Sequence, residues 1–371
     1  MSLFTDVEPE HPRRRSSGWL GWSLLALATV GVVAVALVPA PYVIERPGPV
    51  FDTLGSVSID GDEVPLIDIP LEETFPTTGS LNMLTVTIAG DRENPLRWLD
   101  VATAWLDPSK AVVPVDQVYP VGVSVEESSE ASRIQMEVSQ QEAIAAALDE
   151  LDYDFTSTIT IAGVVPGGVA EDQLLPNDRV VSLNGTAYRF VSQFRDAVIA
   201  NGTTEPMTFV VERDGEEVTL DLTPQLSDPN GTGEQTPALG VYLSSEYDFP
   251  FDVTIQLENV GGPSAGQMFA LGIIDKLTPG DLNGGEDVAG TGTIAGAGEI
   301  GPIGGIRQKM YGALNAGATY FLAPLSNCDE VTGHIPDGLT VLAVETLDES
   351  LAALEGISAG SVEGLPTCPA G

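Results

Sequence analysis

The longest apolar stretch of the chain lies near its N-terminus. Residues 19–38, WLGWSLLALATVGVVAVALV, include no charged residue, and twenty helical residues can cross the hydrocarbon core of a bilayer, which is about 30 Å thick. Arginines at positions 13–15 precede the stretch, so the positive-inside rule places the N-terminus in the cytoplasm. The pattern predicts a cytoplasmic tail at 1–16 and a single transmembrane helix at 17–39, with the rest of the chain outside the cell membrane. The alternative is a cleaved signal peptide, although its apolar core is usually about 7–15 residues.

The next part, residues 40–137, is predicted to be an extracytoplasmic segment. Its first half, residues 40–80, is rich in proline, glycine and acids and predicts short strands and turns, while no periodicity dominates from 91 to 135. Within it, LNMLTVTI at 81–88 has the pattern of a strand. The alanine-rich stretch SQQEAIAAALDELDY at 139–153 predicts a helix. Ser139 is the candidate N-cap, and Glu142 three residues later would complete a capping box.

From 157 to 224, short β-rich runs alternate with turn signals, with one helix predicted at about 190–200. Asp214-Gly215 lies between two such runs and predicts a hairpin turn. The order of elements, with GVVPGGVAEDQLLPNDRVVSLNG at 163–185, resembles a PDZ domain of the kind attached to bacterial proteases. The resemblance implies a PDZ-like β-sandwich with helices at 138–226, which binds an extended peptide as an added strand. The alternative is a domain that only spaces its neighbours.

The charge of the chain argues against a nucleic-acid partner. Acidic residues number 54 against 15 lysines and arginines, which gives a formal charge of -39, and such a surface repels phosphates. We interpret the acidity as a solubilising surface. Both cysteines, Cys328 and Cys368, lie on the predicted outer side, where a pair more often forms a disulfide than a reactive thiol. Spacing alone does not prove that they are bonded.

Few residues could carry out metal, nucleotide or histidine chemistry. The two histidines are His11, on the predicted cytoplasmic side, and His334, in a turn, so a Ser-His-Asp triad is disfavoured. Two separate histidines and two separate cysteines lack the spacing of metal ligands. GAGEIG at 296–301 fits a dinucleotide pattern, but PIGG follows it rather than a helix, and there is no Walker A motif. We therefore expect no metal ion and no other cofactor.

The three lysines are Lys110, Lys276 and Lys309, and a neutral lysine can serve as a general base. Ser264 lies in the turn GGPSAG, before an apolar run that reads as a helix from 265 to 276. Lys276 is twelve residues from Ser264, about 18 Å along a helix, so the two cannot pair. Lys309 begins a second predicted helix and is free to pack beside Ser264.

Three segments of the C-terminal part, in this order, resemble the proteolytic domain of Lon proteases. They are GGPSAGQMFALGIID at 261–275, VAGTGTI at 288–294 and GPIGGIRQKMYGALNAGATYFLAP at 301–324. With the predicted anchor and the PDZ-like part, the chain is similar to membrane-anchored, PDZ-containing Lon-like peptidases of bacteria over most of 40–357. The resemblance implies a Lon-type α/β proteolytic domain at 238–358, followed by a C-terminal tail at 359–371, and the predicted fold class is α+β.

The resemblance also implies roles for individual residues. Ser264 corresponds to the nucleophile and Lys309 to the base, and Thr291 would orient the lysine amine. Backbone N–H groups around Gly262 and Ser264 would stabilise the oxyanion, with Ser264 also capping the following helix. The sequence departs from the family pattern in two places: Gly261 stands where many Lon enzymes have an acid, and Thr293 replaces the glutamate of Thr-Gly-Glu-Ile.

These observations predict a membrane-anchored serine endopeptidase with a Ser-Lys dyad. It would hydrolyse extracytoplasmic proteins or peptides without ATP, and its PDZ domain would recognise them or control access to the site. Its partners would be these substrates and the membrane, and the resemblance also implies assembly into homohexamers. The alternative is a non-catalytic, membrane-tethered PDZ scaffold that binds peptides.

Overall fold

The structure is a computed structural model that describes residues 18–228, 233, 235–258 and 260–369. The predicted cytoplasmic tail, His11 and the last two residues of the predicted C-terminal tail lie outside these ranges. The apolar N-terminal stretch forms helix α1 (Gly18–Ala36). No helix within the described ranges combines the length and apolar character needed to cross a membrane, so the structure does not support the predicted transmembrane helix.

The part that follows α1 contains six strands and three helices. In chain order they are β1 (Tyr42–Asp52), β2 (Ser56–Ile59), β3 (Asp62–Pro65), β4 (Ile67–Asp68), β5 (Ser80–Ala89), α2 (Trp98–Ala104), β6 (Ala111–Pro114), α3 (Val115–Val118) and α4 (Val125–Glu150). The strand predicted at 81–88 is confirmed as β5. A bulge between Pro47 and Val50 interrupts the pairing of β1 with β5.

Helix α4 is much longer than predicted, and its predicted start was wrong. The N-cap is Ser124, whose Oγ accepts a hydrogen bond from the Glu127 N–H at 3.1 Å while Glu127 bonds back to the Ser124 N–H at 2.8 Å. Ser124 and Glu127 therefore form the capping box. Ser139, the predicted N-cap, is buried in the middle of the helix and its Oγ donates to the Pro263 carbonyl at 2.9 Å.

The middle part of the chain forms an antiparallel sheet of five strands with one long helix. Its elements are β7 (Thr156–Val164), β8 (Arg179–Leu183), α5 (Val191–Asn201), β9 (Met207–Arg213), β10 (Glu216–Leu222), β11 (Gln225–Ser227), β12 (Thr236–Ala238) and β13 (Val241–Asp248). The strand order is β10-β9-β8-β7-β13. The predicted helix at 190–200 is confirmed as α5, and the predicted hairpin is confirmed, with positive φ at both Asp214 and Gly215.

The C-terminal part alternates strands and helices. Its elements are β14 (Thr254–Ile255), α6 (Gly266–Leu277), β15 (Asp287–Gly290), β16 (Thr293–Ile294), β17 (Ile300–Gly301), α7 (Ile306–Asn315), β18 (Tyr320–Pro324), α8 (Cys328–Val331), β19 (Thr340–Val344) and α9 (Leu347–Ser358). A short 3-10 turn, Leu325–Asn327, joins β18 to α8. Strands β16 and β17 pair with each other and form a hairpin, which is called the β16–β17 hairpin below.

The central sheet combines strands from both sides of the middle part, in the order β19-β18-β15-β5-β1-β6. The pairs from β19 to β5 are parallel, and β1 pairs antiparallel with both β5 and β6. The segment at 40–137 thus supplies three strands to the sheet that also contains the C-terminal strands. Helices α4 and α6 share one apolar core, which includes Ala143, Ile144, Met268 and Phe269. The fold is α+β, while the predicted domain boundaries stay a prediction.

Candidate active site

The turn that carries Ser264 leads directly into the buried helix α6. Every residue of α6 from Gly266 to Asp275 is buried, as expected for a helix that is apolar on nearly all sides. The N-cap position is occupied by Ala265, with no side-chain hydrogen bond to the helix. The prediction that Ser264 caps this helix was therefore wrong. Ser264 lies one residue earlier, is half-buried, and its hydroxyl points to another partner.

That partner is carried by α7. Gly305 precedes the helix with φ of 69°, and a Cβ at this position would lie 2.7 Å from Val86 Cγ2, so both the backbone conformation and the close approach favour glycine. Four residues of α7 at helical spacing are buried, namely Ile306, Lys309, Met310 and Ala313. Lys309 therefore lies on the face that packs into the protein.

Three side chains meet at this point. Lys309 Nζ lies 2.7 Å from Ser264 Oγ and 2.9 Å from Thr291 Oγ1. The Thr291 hydroxyl donates its proton to the Ser264 carbonyl oxygen at 2.9 Å, so it can only accept from the lysine amine. Thr291 is fully buried, and these bonds fix the position of the amine beside Ser264 Oγ.

Burial changes the protonation of the lysine. Lys309 is only 2% exposed, and burial lowers its pKa from 10.5 to about 7, because an ammonium ion loses its hydration there. A neutral amine has two N–H donors and one lone pair. It can donate to Thr291 and accept the Ser264 hydroxyl proton, which is the arrangement that a general base requires.

The glycines of the Ser264 turn contact α4. The Gly262 N–H donates to the Ser132 carbonyl at 2.8 Å. In this structure the Gly262 N–H is therefore not free to bind an oxyanion. Of the two predicted donors, the Ser264 N–H remains. A Cβ at Gly261 would lie 2.8 Å from Ser132 Cβ, so the helix occupies the space that an acidic side chain at this position would need.

Sequence reasoning missed the contribution of α4 to the site. Ser132, Met136, Ser139 and Ala143 follow one another at spacings of four, three and four, which place them on one face of a helix. This face meets the Ser264 turn through Ser132 and Ser139. The helical spacing of these side chains was the signal that could have revealed it.

The other two lysines and His334 have different partners. Lys276 is near the end of α6, with its Nζ 3.4 Å from the Leu54 carbonyl, and it does not contact Ser264. Lys110 forms an ion pair with Asp107 at 2.9 Å. His334 is in an exposed turn, where its Nδ1 lies 3.0 Å from the Thr332 carbonyl. No group of three metal-binding side chains occurs in the described part of the chain.

The two cysteines are bonded in the structure. Cys328 and Cys368 form a disulfide with a Cα–Cα distance of 5.0 Å, across a separation of 40 residues. The bond attaches the C-terminal tail to α8. Asn327, the residue before Cys328, holds the backbone of Ile303 through two hydrogen bonds of 2.9 Å. The disulfide therefore lies beside the segment that leads into α7.

Two cavities reach Ser264. The first, of about 430 Å³, runs along β5 and is lined by residues that include Met83, Thr85, Val86, Ser264 and Lys309. The second, of about 410 Å³, lies on the other side of the serine and includes Thr293 and Ile303. Strand β15 pairs with β5 only from Ser80 to Met83, so the cleft along β5 begins where this pairing ends.

The sequence of this region is similar to known proteases. Residues 259–355 match the family described as the Lon protease (S16) C-terminal proteolytic domain. Lon protease 2 of Herpetosiphon aurantiacus is 44% identical over 93 residues, which are 24% of this chain and 11% of that protein. Lon protease of Geobacter metallireducens is 36% identical over 115 residues, which are 30% of this chain and 14% of that protein. The similarity thus spans about a tenth to a seventh of the length of these relatives.

Part of the chain is similar to solved structures of PDZ domains. The PDZ domain of an SdrC-like protein from Listeria monocytogenes aligns with 23% of this chain and 85% of its own length, with 19% identity and a TM-score of 0.21. A corresponding domain from Listeria innocua aligns with 23% of the chain and 92% of its own length, with 13% identity and the same TM-score.

Proposed function

We propose that the chain is a serine endopeptidase in which Ser264 is the nucleophile and Lys309 is the general base. The observation that carries the proposal is the distance of 2.7 Å between Lys309 Nζ and Ser264 Oγ, at a lysine that is only 2% exposed. The similarity of residues 259–355 to the Lon proteolytic domain supports it.

In the proposed reaction, the neutral amine of Lys309 accepts the hydroxyl proton as Ser264 Oγ attacks the peptide carbonyl carbon. The resulting ammonium then gives the proton to the leaving amine, and an acyl ester remains on Ser264. Water hydrolyses the ester in the second half of the reaction, with Lys309 again taking a proton. Thr291 holds the amine in place throughout, because its own proton is donated to the Ser264 carbonyl.

The negative charge that develops on the carbonyl oxygen needs hydrogen-bond donors. The Ser264 N–H lies at the start of α6, where the helix dipole adds positive potential. The second predicted donor, the Gly262 N–H, is bonded to Ser132. The proposal therefore requires either a different second donor or a small movement of the glycine turn away from α4 when substrate binds.

Extended peptides fit the cleft best. Its wall is the part of β5 beyond Met83, including Thr85 and Thr87, where β15 no longer pairs. A peptide strand can hydrogen-bond to such an edge through its backbone, which gives affinity without a strong sequence requirement. We therefore propose unfolded or flexible segments of proteins as the substrates.

The remaining features of the proposal come from the sequence. Hydrolysis without ATP stays a prediction from the given sequence, in which no Walker A motif occurs. A PDZ-like role of the middle part in peptide binding rests on the order of its elements. Membrane attachment, an extracytoplasmic location and hexamer assembly stay predictions. Casein hydrolysis with and without added ATP tests the first of these features.

The dyad is tested by separate substitutions in the full chain. Ser264→Ala and Lys309→Ala should each abolish casein hydrolysis while the circular dichroism spectrum stays unchanged. Thr291→Val removes the hydroxyl that orients the lysine and should lower kcat, while Thr291→Ser, which keeps the hydroxyl, should retain most of it.

The matched control is Lys276→Ala, which removes the other lysine of the proteolytic region and should leave activity intact. Full activity in either dyad variant would rule out the mechanism. A serine-reactive probe that labels the wild type but not Ser264→Ala would distinguish the peptidase from a non-catalytic peptide-binding scaffold.

A further inference from the structure

Glu142 is a half-buried carboxylate that the proposed mechanism does not use. It lies in the second half of α4, and its two oxygens contact two different parts of the chain. Oε1 accepts a hydrogen bond from the Tyr247 hydroxyl of β13 at 2.9 Å. Oε2 accepts one from the Gly296 N–H, in the turn of the β16–β17 hairpin, at 2.6 Å. Glu142 therefore connects the five-stranded sheet to the hairpin through α4.

The turn of the hairpin packs closely against aromatic rings at Gly296. A Cβ at this position would lie 2.5 Å from Phe190 Cδ1 and 2.8 Å from the Tyr247 hydroxyl oxygen, so a side chain would require these rings to move. Phe190 and Tyr247 form one cluster with Phe155 and Phe249, in which the centroids of contacting rings are 5.3–6.4 Å apart. This packing, together with the bond to Glu142, fixes the turn beside the five-stranded sheet.

The base of the hairpin contacts the proposed nucleophile. The Gly292 N–H, just before β16, donates to the Ser264 carbonyl at 3.0 Å. Thr291 Oγ1 donates to the same oxygen at 2.9 Å and accepts from Lys309 Nζ at 2.9 Å. A displacement of the hairpin therefore changes the hydrogen bonds that hold the lysine amine beside Ser264 Oγ.

Helix α4 also holds the turn that carries the nucleophile. Ser139, three residues before Glu142, donates to the Pro263 carbonyl at 2.9 Å, and residues three apart lie on the same side of a helix. The Ser132 carbonyl accepts from the Gly262 N–H at 2.8 Å. One helix thus holds the serine turn directly and the hairpin through Glu142.

The hairpin has a second set of contacts that does not involve Glu142. The Ile300 N–H donates to the Glu345 carbonyl at 2.8 Å, and the Gly298 carbonyl accepts from the Leu347 N–H at 2.8 Å. We therefore expect the hairpin to stay folded when Glu142 is replaced, while the distance between its turn and α4 changes.

The charge of Glu142 does not serve stability. Burial, with a smaller contribution from the nearby Glu299 carboxylate, raises the pKa of Glu142. The unfolded chain loses this proton more readily, so an ionised Glu142 lowers the stability of the fold at neutral pH. A role beyond folding explains why a glutamate lies between the sheet and the hairpin.

We propose that Glu142 is a positioning residue for the reaction at Ser264. It holds the β16–β17 hairpin against the five-stranded sheet, and the hairpin holds the Ser264 carbonyl and Thr291 in the arrangement that orients Lys309. The inference rests on the proposed peptidase function. Because the Tyr247 hydroxyl belongs to the same contact, the placement of the five-stranded sheet affects the rate of the chemical step.

Three variants of the full chain test this role with a fluorogenic peptide. Glu142→Ala removes both hydrogen bonds and should lower kcat about tenfold with little change in KM, because Glu142 lines neither cavity that reaches the nucleophile. Glu142→Gln keeps an oxygen for the Gly296 N–H and an amide group that can donate to Tyr247, so it should retain most of kcat. Tyr247→Phe should lower kcat less than Glu142→Ala does, and the double variant should match Glu142→Ala alone.

The rate is measured for each active serine, counted by end-point titration with a serine-reactive probe. A residue that only supports folding would change Tm and the number of labelled serines, but not the rate at each labelled site. The matched controls are Glu137→Ala, at an exposed glutamate of α4, and Tyr242→Phe, at a tyrosine of β13 that is 62% exposed. Both should keep the wild-type kcat.

Hydrogen exchange tests the contact without catalysis. Backbone N–H groups of residues 291–301 should exchange faster in Glu142→Ala than in the wild type or in Glu137→Ala, because the Gly296 N–H loses its acceptor.

A wild-type kcat for each active serine in Glu142→Ala, an equal loss in Glu137→Ala, or unchanged exchange in Glu142→Ala would each overturn the inference. The peptidase would stand in these cases if Ser264→Ala and Lys309→Ala were inactive. A wild-type chain that hydrolyses no peptide, but shows the faster exchange when Glu142 is replaced, would reject the peptidase and retain the contact between Glu142 and the hairpin.

Discussion

Lys309 should set the pH dependence of peptide hydrolysis. The proposed base acts only when its amine is neutral, and burial lowers its pKa to about 7. An ordinary lysine, with a pKa of about 10.4, is neutral in only on the order of 0.04% of molecules at pH 7. At a pKa of about 7 the neutral fraction is about half, so burial raises it by roughly a thousandfold.

The expected profile follows from this fraction. As pH rises from 6 to 8, the neutral fraction of a group with a pKa of about 7 increases about tenfold, and kcat/KM of the free enzyme should increase by the same factor. The assay measures initial rates on a fluorogenic peptide without ionisable side chains, while circular dichroism shows that the chain stays folded. Lys276→Ala should show the same inflection. Rates that are constant between pH 6 and 8, or an inflection near pH 10, would refute the assignment of Lys309 as the base.

Stability gives an independent check of the same pKa. The pKa of Lys309 in the folded state lies about 3.5 below the ordinary value, and at about 1.4 kcal/mol for each pH unit the cost is on the order of 5 kcal/mol. The unfolded chain binds the proton more tightly, so this cost is fully present below about pH 7 and disappears as pH rises toward 10.5. Lys309→Met should therefore raise Tm at pH 7 and lose this advantage near pH 10. An equal gain at both pH values would contradict the reasoning.

Two further predictions concern stability away from the dyad. Cys368→Ser removes the disulfide with Cys328 and should lower the free energy of unfolding, measured by urea denaturation, by about 4 kcal/mol. A reductant should lower the free energy of unfolding of the wild type but not that of the variant. Glu150 is exposed, but partial desolvation and the neighbouring Asp348 raise its pKa to about 7, so its charge destabilises the fold above that pH and not below about pH 4. Glu150→Gln should raise Tm at pH 8 but not at pH 4, while Glu217→Gln should change neither, and an equal effect of the two substitutions would reject this account.

The helices beside Ser264 and Lys309 could be predicted from the sequence, because the signals for each helix lie within it or in the residues that flank it. The apolar run after Ser264 indicates a buried helix, and a glycine pair before Lys309 indicates a helix start. The contact between Ser264 and Lys309 could not be predicted from such local signals. They are 45 positions apart, and no periodicity reports which helices pack together. Elimination left Lys309 as a possible partner of Ser264, and the resemblance to Lon proteases then indicated the pair.

The sequence offers two possible starts for helix α4. Both Ser124 with Glu127 and Ser139 with Glu142 have the spacing of a capping box. The upstream pair forms the cap. The second pair lies inside the helix, where it makes tertiary contacts. Local capping signals could not distinguish the two, because the choice depends on what the helix packs against.

The two departures from the Lon pattern both lie close to Ser264. A side chain at Gly261 would collide with Ser132 of α4, since even a Cβ would be 2.8 Å from Ser132 Cβ. Thr293 stands in place of a glutamate, and its Oγ1 would lie only 2.5 Å from a Cβ at Gly301 across the β16–β17 hairpin. This contact requires glycine at position 301, and Thr293 itself lines the cavity beside Ser264.

An acid near the dyad would also stabilise the ammonium form of Lys309 and raise its pKa. In its absence, burial alone lowers the pKa of the lysine. The small residues therefore serve two purposes. Glycine at position 261 leaves room for α4, and neither residue places a negative charge near an amine that must be neutral to act as a base.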